Sequence, residues 1–155
     1  MRPNKIRELL KAGKPTMCVR TASVWPDVVE MIGRLGLYDY VEYAAEYGTF
    51  GYPDLDNYCR AAELHNLGTM IKIDQEPKTF IAQRAVGSGI QNLLFTDIRC
   101  VDDAVQSVRS GRAETPLDKG LIGVGLRRDI GYIFGPGSPE YVAQLREGVV
   151  ALMIE

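Results

Sequence analysis

Five positions in this chain carry side chains suited to holding and activating a small anionic substrate: Arg20, Glu46, Tyr47, Lys72 and Glu155. Each closes or follows a short apolar run of the strand type, as do Asp74, Asp97 and Arg99. Cations in such places grip a carboxylate. Carboxylates there move protons or bind a divalent ion, and a phenol donates to a developing oxyanion. In a parallel α/β sheet the carboxyl ends of the strands gather on one face, where active sites are built.

The elements that must position these groups alternate between strand and helix. Residues 4–12 carry Ile6, Leu9 and Leu10 at helical spacing, and Gly13 closes that helix. Thr16 to Arg20 reads as a strand. Pro26 then opens a helix with Val28, Val29, Ile32 and Leu35 on one face, stopped by Gly36. Tyr38 to Tyr43 is the second strand, Leu55, Cys59 and Ala62 mark a helix, and Thr69 to Ile73 is the third strand. A helix from Pro77 to Val86 leads to a fourth strand over Gln91 to Phe95. Val101, Ala104, Val105 and Val108 form an apolar helical stripe. The glycine-rich stretch 111–138 interrupts the rhythm, and its length suits a functional or mobile connection. Ser138 as N-cap and Pro139 at the first helical position then start a helix that runs to Gly148. Val149 to Ile154 reads as a fifth strand, apolar enough to be covered on both faces, with Glu155 at its end.

Alternating βα units predict a parallel sheet in one domain over residues 1–155. A doubly wound dinucleotide fold needs a glycine-rich turn after its first strand. Here that turn is Arg20 to Trp25 with no glycine, so the pattern favours a (β/α) barrel of the TIM type. The chain is 155 residues long with a net charge of -2, 46% hydrophobic and 25% charged. That balance has no basic stripe for nucleic acid and no run long enough to span a bilayer, and the opening residues Met1 to Glu8 carry no apolar core of the secretory type. Three scattered cysteines, Cys18, Cys59 and Cys100, favour a reducing cytoplasmic setting over disulfides or a zinc site. His65, the one histidine, reads as a solvated residue near a helix end.

The segment Tyr38–Phe50 (YDYVEYAAEYGTF) resembles the second strand and loop of the HpcH/HpaI aldolase/citrate lyase family. The likeness extends over the whole chain. It includes Asn4–Gly13 (NKIRELLKAG), Cys59–Glu63 (CRAAE), Met70–Ile73 (MIKI), Ala85–Leu94 (AVGSGIQNLL), Lys119–Gly125 (KGLIGVG) and Leu152–Glu155 (LMIE). The resemblance implies a phosphoenolpyruvate/pyruvate-type (β/α)8 barrel, hexameric assembly, and cleavage or formation of a bond between a pyruvate-type enolate and an aldehyde. It also implies Mg²⁺ or Mn²⁺ held by a Glu and an Asp. The ion would act as Lewis acid on the oxo acid.

The chain departs from that pattern at several positions. Tyr47 stands where the family has histidine, Ala44 where it has the partnering Asp, and Lys72 where it has the carboxylate-binding Arg. Met153 replaces a common Gln, and Arg20 replaces a Trp. Glu155 keeps the metal-ligand place. The resemblance therefore assigns Glu155 to the metal, Arg20 and Lys72 to the substrate carboxylate, and Tyr47 or Glu46 to proton transfer. Glu46 has an alternative as an ion-pair partner of Lys72. Three functions follow: a divergent metal-dependent lyase, a Schiff-base aldolase through Lys72, or a non-catalytic barrel kept for ligand binding or assembly. A complete barrel takes about 250 residues. The expectation is therefore of a chain carrying about the first five strands of a barrel, or one completed by a partner chain.

Overall fold

The computed structural model describes residues 2–123, 127–132 and 139–155. Five strands, β1 (Cys18–Thr21), β2 (Tyr40–Ala44), β3 (Gly68–Ile73), β4 (Asn92–Ile98) and β5 (Val150–Ile154), form one sheet in the order β1-β2-β3-β4-β5. Every pairing is parallel. The helices are α1 (Lys5–Lys11), α2 (Pro26–Leu35), α3 (Tyr52–Leu64), α4 (Lys78–Ser88), α5 (Val101–Ser110) and α6 (Pro139–Glu147). Strand order that follows chain order means that each crossover advances in the same direction. With right-handed crossovers this puts the helices on one face, the winding of a barrel and not of a doubly wound sheet.

The period of two along each strand divides the sheet into two faces. Register sets Val41 beside Thr69, Tyr43 beside Ile71, and Ile71 and Ile73 beside Leu93 and Phe95. Except for the buried Thr69, these residues pack with Val29, Leu55, Cys59, Ala62, Ala82 and Ala85 of the helices in one apolar core. The alternate positions face away from the helices. They include Arg20 level with Glu42, Ala44 level with Lys72, and Met70 level with Asn92.

Local signals explain most boundaries. Asn4 caps α1, its side chain accepting from Arg7 N, and Gly36 ends α2 in the left-handed conformation at φ 64°. The N-terminal ends of the strands are tied by the fully buried Asn92. Its Nδ2 donates to the Thr69 carbonyl at 2.9 Å, and its Oδ1 accepts from Asn4 Nδ2 at 2.8 Å and from Val149 N at 3.0 Å. One side chain thus joins α1, β3, β4 and the entry to β5.

Four sequence expectations change. β5 is an edge strand that is half-buried, with Ile154 75% exposed, because only β4 pairs with it. β4 runs on to Ile98 through an irregularity between Phe95 and Ile98. The valine stripe of α5 points outward: Val101 is 77% exposed and Val105 50%, whereas Ser107 and Ser110 are buried. Those serines return their hydroxyls to the Asp103 and Gln106 carbonyls, and Ser110 also meets Thr79 of α4 at 2.8 Å. The Lys78–Asp103 ion pair at 3.7 Å fixes the same face inward. Small residues with internally satisfied hydroxyls pack closely there, and this overrides the apolar period. His65 is partly covered against α2, where a Cβ on Gly33 would lie 2.5 Å from its Cβ.

The stretch after α5 is ordered where described. Ala113 bridges Ile122, Arg146 binds Asp118 through two contacts of 2.7 and 2.9 Å, and Arg128 donates to the Ser88 carbonyl at 2.8 Å. The proposed N-cap at Ser138 and the end of the segment Lys119–Gly125 lie outside the described residues.

Asn92→Ala removes the three hydrogen bonds of a fully buried side chain and orphans their partners. It is expected to lower stability by about 2–4 kcal/mol. Urea unfolding followed by circular dichroism should show a reduced midpoint at unchanged slope. An unchanged midpoint would remove Asn92 from the role of structural tie.

Candidate active site on the polar face of the sheet

The centre of the site is Lys72, on β3 and facing away from the helices. Its side chain is only 4% exposed, so its ammonium must be compensated. Glu46 supplies an ion pair through Oε2, and Nζ donates to the Tyr47 hydroxyl at 3.3 Å while lying 4.7 Å from the centre of that ring. Burial alone would lower the Lys72 pKa, but the hydrogen bonds and charge of Glu46 and Tyr47 outweigh it and leave the pKa raised. Lys72 is therefore held as a cation.

The turn after β2 delivers both partners. Tyr47 N and Gly48 N both donate to the Ala44 carbonyl, at 3.0 and 3.2 Å. The turn lies so close to β2 that a Cβ on Gly48 would fall 2.5 Å from the Tyr43 hydroxyl and 3.0 Å from the Ala22 carbonyl. Glycine is required there by contact, and it allows Glu46 and Tyr47 to fold back over Lys72. Ala44, level with Lys72, presents only a methyl group.

Two carboxylates complete this edge. Asp74 follows β3, and its pKa is raised, first by burial, then by the charges of Glu46 and Asp97, against the opposing pull of Lys72. Asp97 lies at the irregularity of β4 with φ 54°, a left-handed conformation that aspartate tolerates better than most residues. Its Oδ1 accepts from Arg99 Nη2 at 3.2 Å. Glu46, Asp74, Asp97, Lys72 and Tyr47 thus come together as the sequence suggests.

Arg20 stands apart in a second ion pair. Its Nε donates to Glu42 Oε1 at 2.7 Å, with Glu42 5% exposed and the Arg20 side chain 54% exposed. The sequence reading passed over Glu42. Its signal was present: a charged residue inside the run Tyr40–Ala44, at the alternate position that does not face the helices. Arg20 and Lys72 share that face. Two strand spacings and one two-residue step place their Cα atoms roughly 12 Å apart, within joint reach of a small ligand.

Glu155 follows β5 as an exposed residue whose backbone N–H donates to the Ile98 carbonyl at 3.4 Å. Among the described residues no group of three or more His, Cys, Asp or Glu side chains is arranged to hold a metal ion. Mg²⁺ is met by oxygen donors in near-octahedral geometry, and a lone exposed carboxylate does not make that centre. The donors described here do not fit a divalent ion by themselves. A cavity of about 820 Å³ lies at the opposite pole, beside Gln91, Gly111 and Val149, away from all five assigned residues.

No protein-family model and no curated protein matches the chain. Solved structures do. An HpcH/HpaI aldolase/citrate lyase family protein from Burkholderia cenocepacia J2315 is 21% identical with a TM-score of 0.83, over 97% of this chain and 59% of its own. The HpcH/HpaI aldolase from Desulfitobacterium hafniense DCB-2 is 18% identical with a TM-score of 0.84, over 99% and 57%. The citrate synthase SbnG is 17% identical with a TM-score of 0.78, over 97% and 56%. The chain shares their fold and spans under three fifths of their length.

The raised pKa of Asp74 gives a pH signature. A carboxyl whose folded pKa exceeds its unfolded value of about 3.9 burdens the fold increasingly as pH rises through the folded value, and not at all well below the unfolded one. Asp74→Asn is expected to raise the urea midpoint at pH 7, and the gain should vanish below about pH 4. A loss of stability at pH 7 would show that the Asp74 charge is compensated.

Proposed function

We propose that this chain carries the anion-binding and proton-transfer part of a carbon–carbon lyase site. Its substrates would be a pyruvate-type 2-oxo acid and an aldehyde, or the hydroxy-oxo acid that joins them. The observation that carries the reading is the buried Lys72 cation held by Glu46 and Tyr47 on the polar face of the sheet. The shared fold with HpcH/HpaI aldolases supports it.

In the cleavage direction the substrate carboxylate pairs with Arg20. The 2-oxo oxygen lies towards Lys72 and the Tyr47 hydroxyl. Tyr47 Oη accepts from Lys72, so its own proton is available to the substrate oxygen. Glu46 takes the proton of the hydroxyl that becomes the aldehyde. The carbon–carbon bond breaks, and its electron pair passes into the enolate, whose oxyanion faces the ammonium of Lys72 and the phenol. Glu46 then returns that proton to the enolate carbon, which completes the oxo acid. Lysine gives a point charge and not a planar fork, so orientation of the carboxylate falls to Arg20. No step here is assigned to Glu155.

The same geometry disfavours a Schiff base at Lys72. A nucleophilic amine must be neutral, and Glu46 and Tyr47 stabilise the charged form. Free thiols at Cys18, Cys59 and Cys100 support a reducing, cytoplasmic setting. Among the described residues no helix is long and apolar enough to cross a membrane. Homo-oligomeric assembly belongs to the same proposal.

Pyruvate release from a 4-hydroxy-2-oxo acid, followed with a coupled dehydrogenase, is expected for the wild type. Lys72→Met should reduce it by about 10²–10³, the loss typical of a removed oxyanion partner. Borohydride added with pyruvate should leave Lys72 unmodified. A mass adduct on Lys72 would reverse the mechanistic choice. Full release by Lys72→Met without an adduct would dismiss Lys72 from the site.

A further inference from the structure

Glu42 is the most heavily buried carboxylate on the polar face, and the chemistry above does not use it. It sits in the middle of β2 between Val41 and Tyr43, both in the apolar core. A charge in that place costs stability unless it is paired, and its hydrogen-bonded partner is Arg20 Nε at 2.7 Å. Register places the two residues directly opposite each other on adjacent strands, so the contact does not depend on a loop.

The chemistry of the contact lies in which nitrogen it uses. A guanidinium presents five N–H donors in a rigid plane. Glu42 takes the inner one, on Nε, and among the described residues neither Nη donates to a protein group. A hydrogen bond at Nε restrains the rotation of the half-exposed Arg20 side chain and leaves its two Nη groups as a planar fork of donors. Such a fork matches the two oxygens of a carboxylate.

We propose that Glu42 is the positioning residue of the site. It orients Arg20 so that the Nη pair receives the substrate carboxylate in a bidentate, planar contact. The inference rests on the 2-oxo acid reading of the same face and adds the origin of carboxylate orientation. Arg20 then takes over the planar recognition that Lys72, held inward by Glu46 and Tyr47, cannot give. The ligand class is a planar carboxylate next to a second oxygen, as in oxalate or pyruvate, in preference to a single-charge halide or a tetrahedral anion.

The test is a double-mutant cycle on the full chain, with oxalate as probe, joined to an NMR readout that needs no ligand. In the wild type the ¹⁵Nε–H signal of Arg20 should be shifted and slow to exchange. Glu42→Leu should abolish this, and Glu42→Gln, which keeps an acceptor oxygen, should restore most of it. Oxalate affinity by calorimetry should fall at least tenfold in Glu42→Leu and recover in Glu42→Gln. In an Arg20→Lys background, Glu42→Leu should have no further effect.

An unchanged Nε signal in Glu42→Leu overturns the inference whatever the affinities. So does an equal loss of affinity with and without Arg20, which marks a purely structural role for Glu42. A wild type that binds neither oxalate nor pyruvate, with the Nε signal behaving as described, overturns the 2-oxo acid reading and reduces the pair to a structural one. The three results are distinct in the same data set.

Discussion

The strand period of two is the constraint on which the remaining features depend. Parallel strands in the order β1 to β5 sort the residues of the sheet to one face or the other, apart from the irregularity of β4 at Asp97. The helix-facing positions are filled by valine, isoleucine, leucine, tyrosine and phenylalanine and form the core. The opposite positions carry Arg20, Glu42, Lys72, Asn92 and Thr96, all but Arg20 buried. Burial of polar groups on that face forces each to find a partner. Asn92 and Thr96 satisfy themselves on neighbouring strand carbonyls and amides. The charged residues cannot do so and pair with one another. The geometry of the site is largely the set of solutions to that requirement.

The two cations solve it differently. Lys72 is enclosed, and the turn at Ala44–Gly48 brings a carboxylate and a phenol onto it. Arg20 is paired through Nε, and among the described residues its Nη groups donate to no protein group. The first arrangement suits stabilisation of charge that develops on a substrate oxygen, and the second suits recognition of charge already present. Beyond Lys72, burial first and then the charges of Glu46 and Asp97 raise the Asp74 pKa. Such crowding of like charge is common where proton transfer takes place.

Much of the fold was legible in the sequence because apolar period and glycine stops dominate it. Helix and strand order and the five-stranded, all-parallel sheet agree with the sequence reading. The meeting of Lys72, Glu46 and Tyr47 also followed from strand ends alone. Three features were not legible. The α5 stripe misled because its buried face is made of serines that bond their own helix carbonyls, which a hydropathy pattern scores as polar. The exposure of β5 depends on what pairs with its free edge, and composition does not encode that. Glu42 was hidden in an otherwise strand-like run, where its facing mattered more than its neighbours. The assignment of Glu155 to a metal comes from family likeness, and among the described residues no set of donors completes such a centre.

The place that an oxo acid analogue takes on this protein can be read without turnover, from a crystal structure of the chain grown with oxalate. Oxalate is expected on the polar face of the sheet, one carboxylate in the Nη fork of Arg20 and an oxygen towards Lys72 Nζ and Tyr47 Oη. Oxalate seated at the opposite pole, or a polar face where Arg20 and Lys72 make no contact with it, would rule out a 2-oxo acid site on this face.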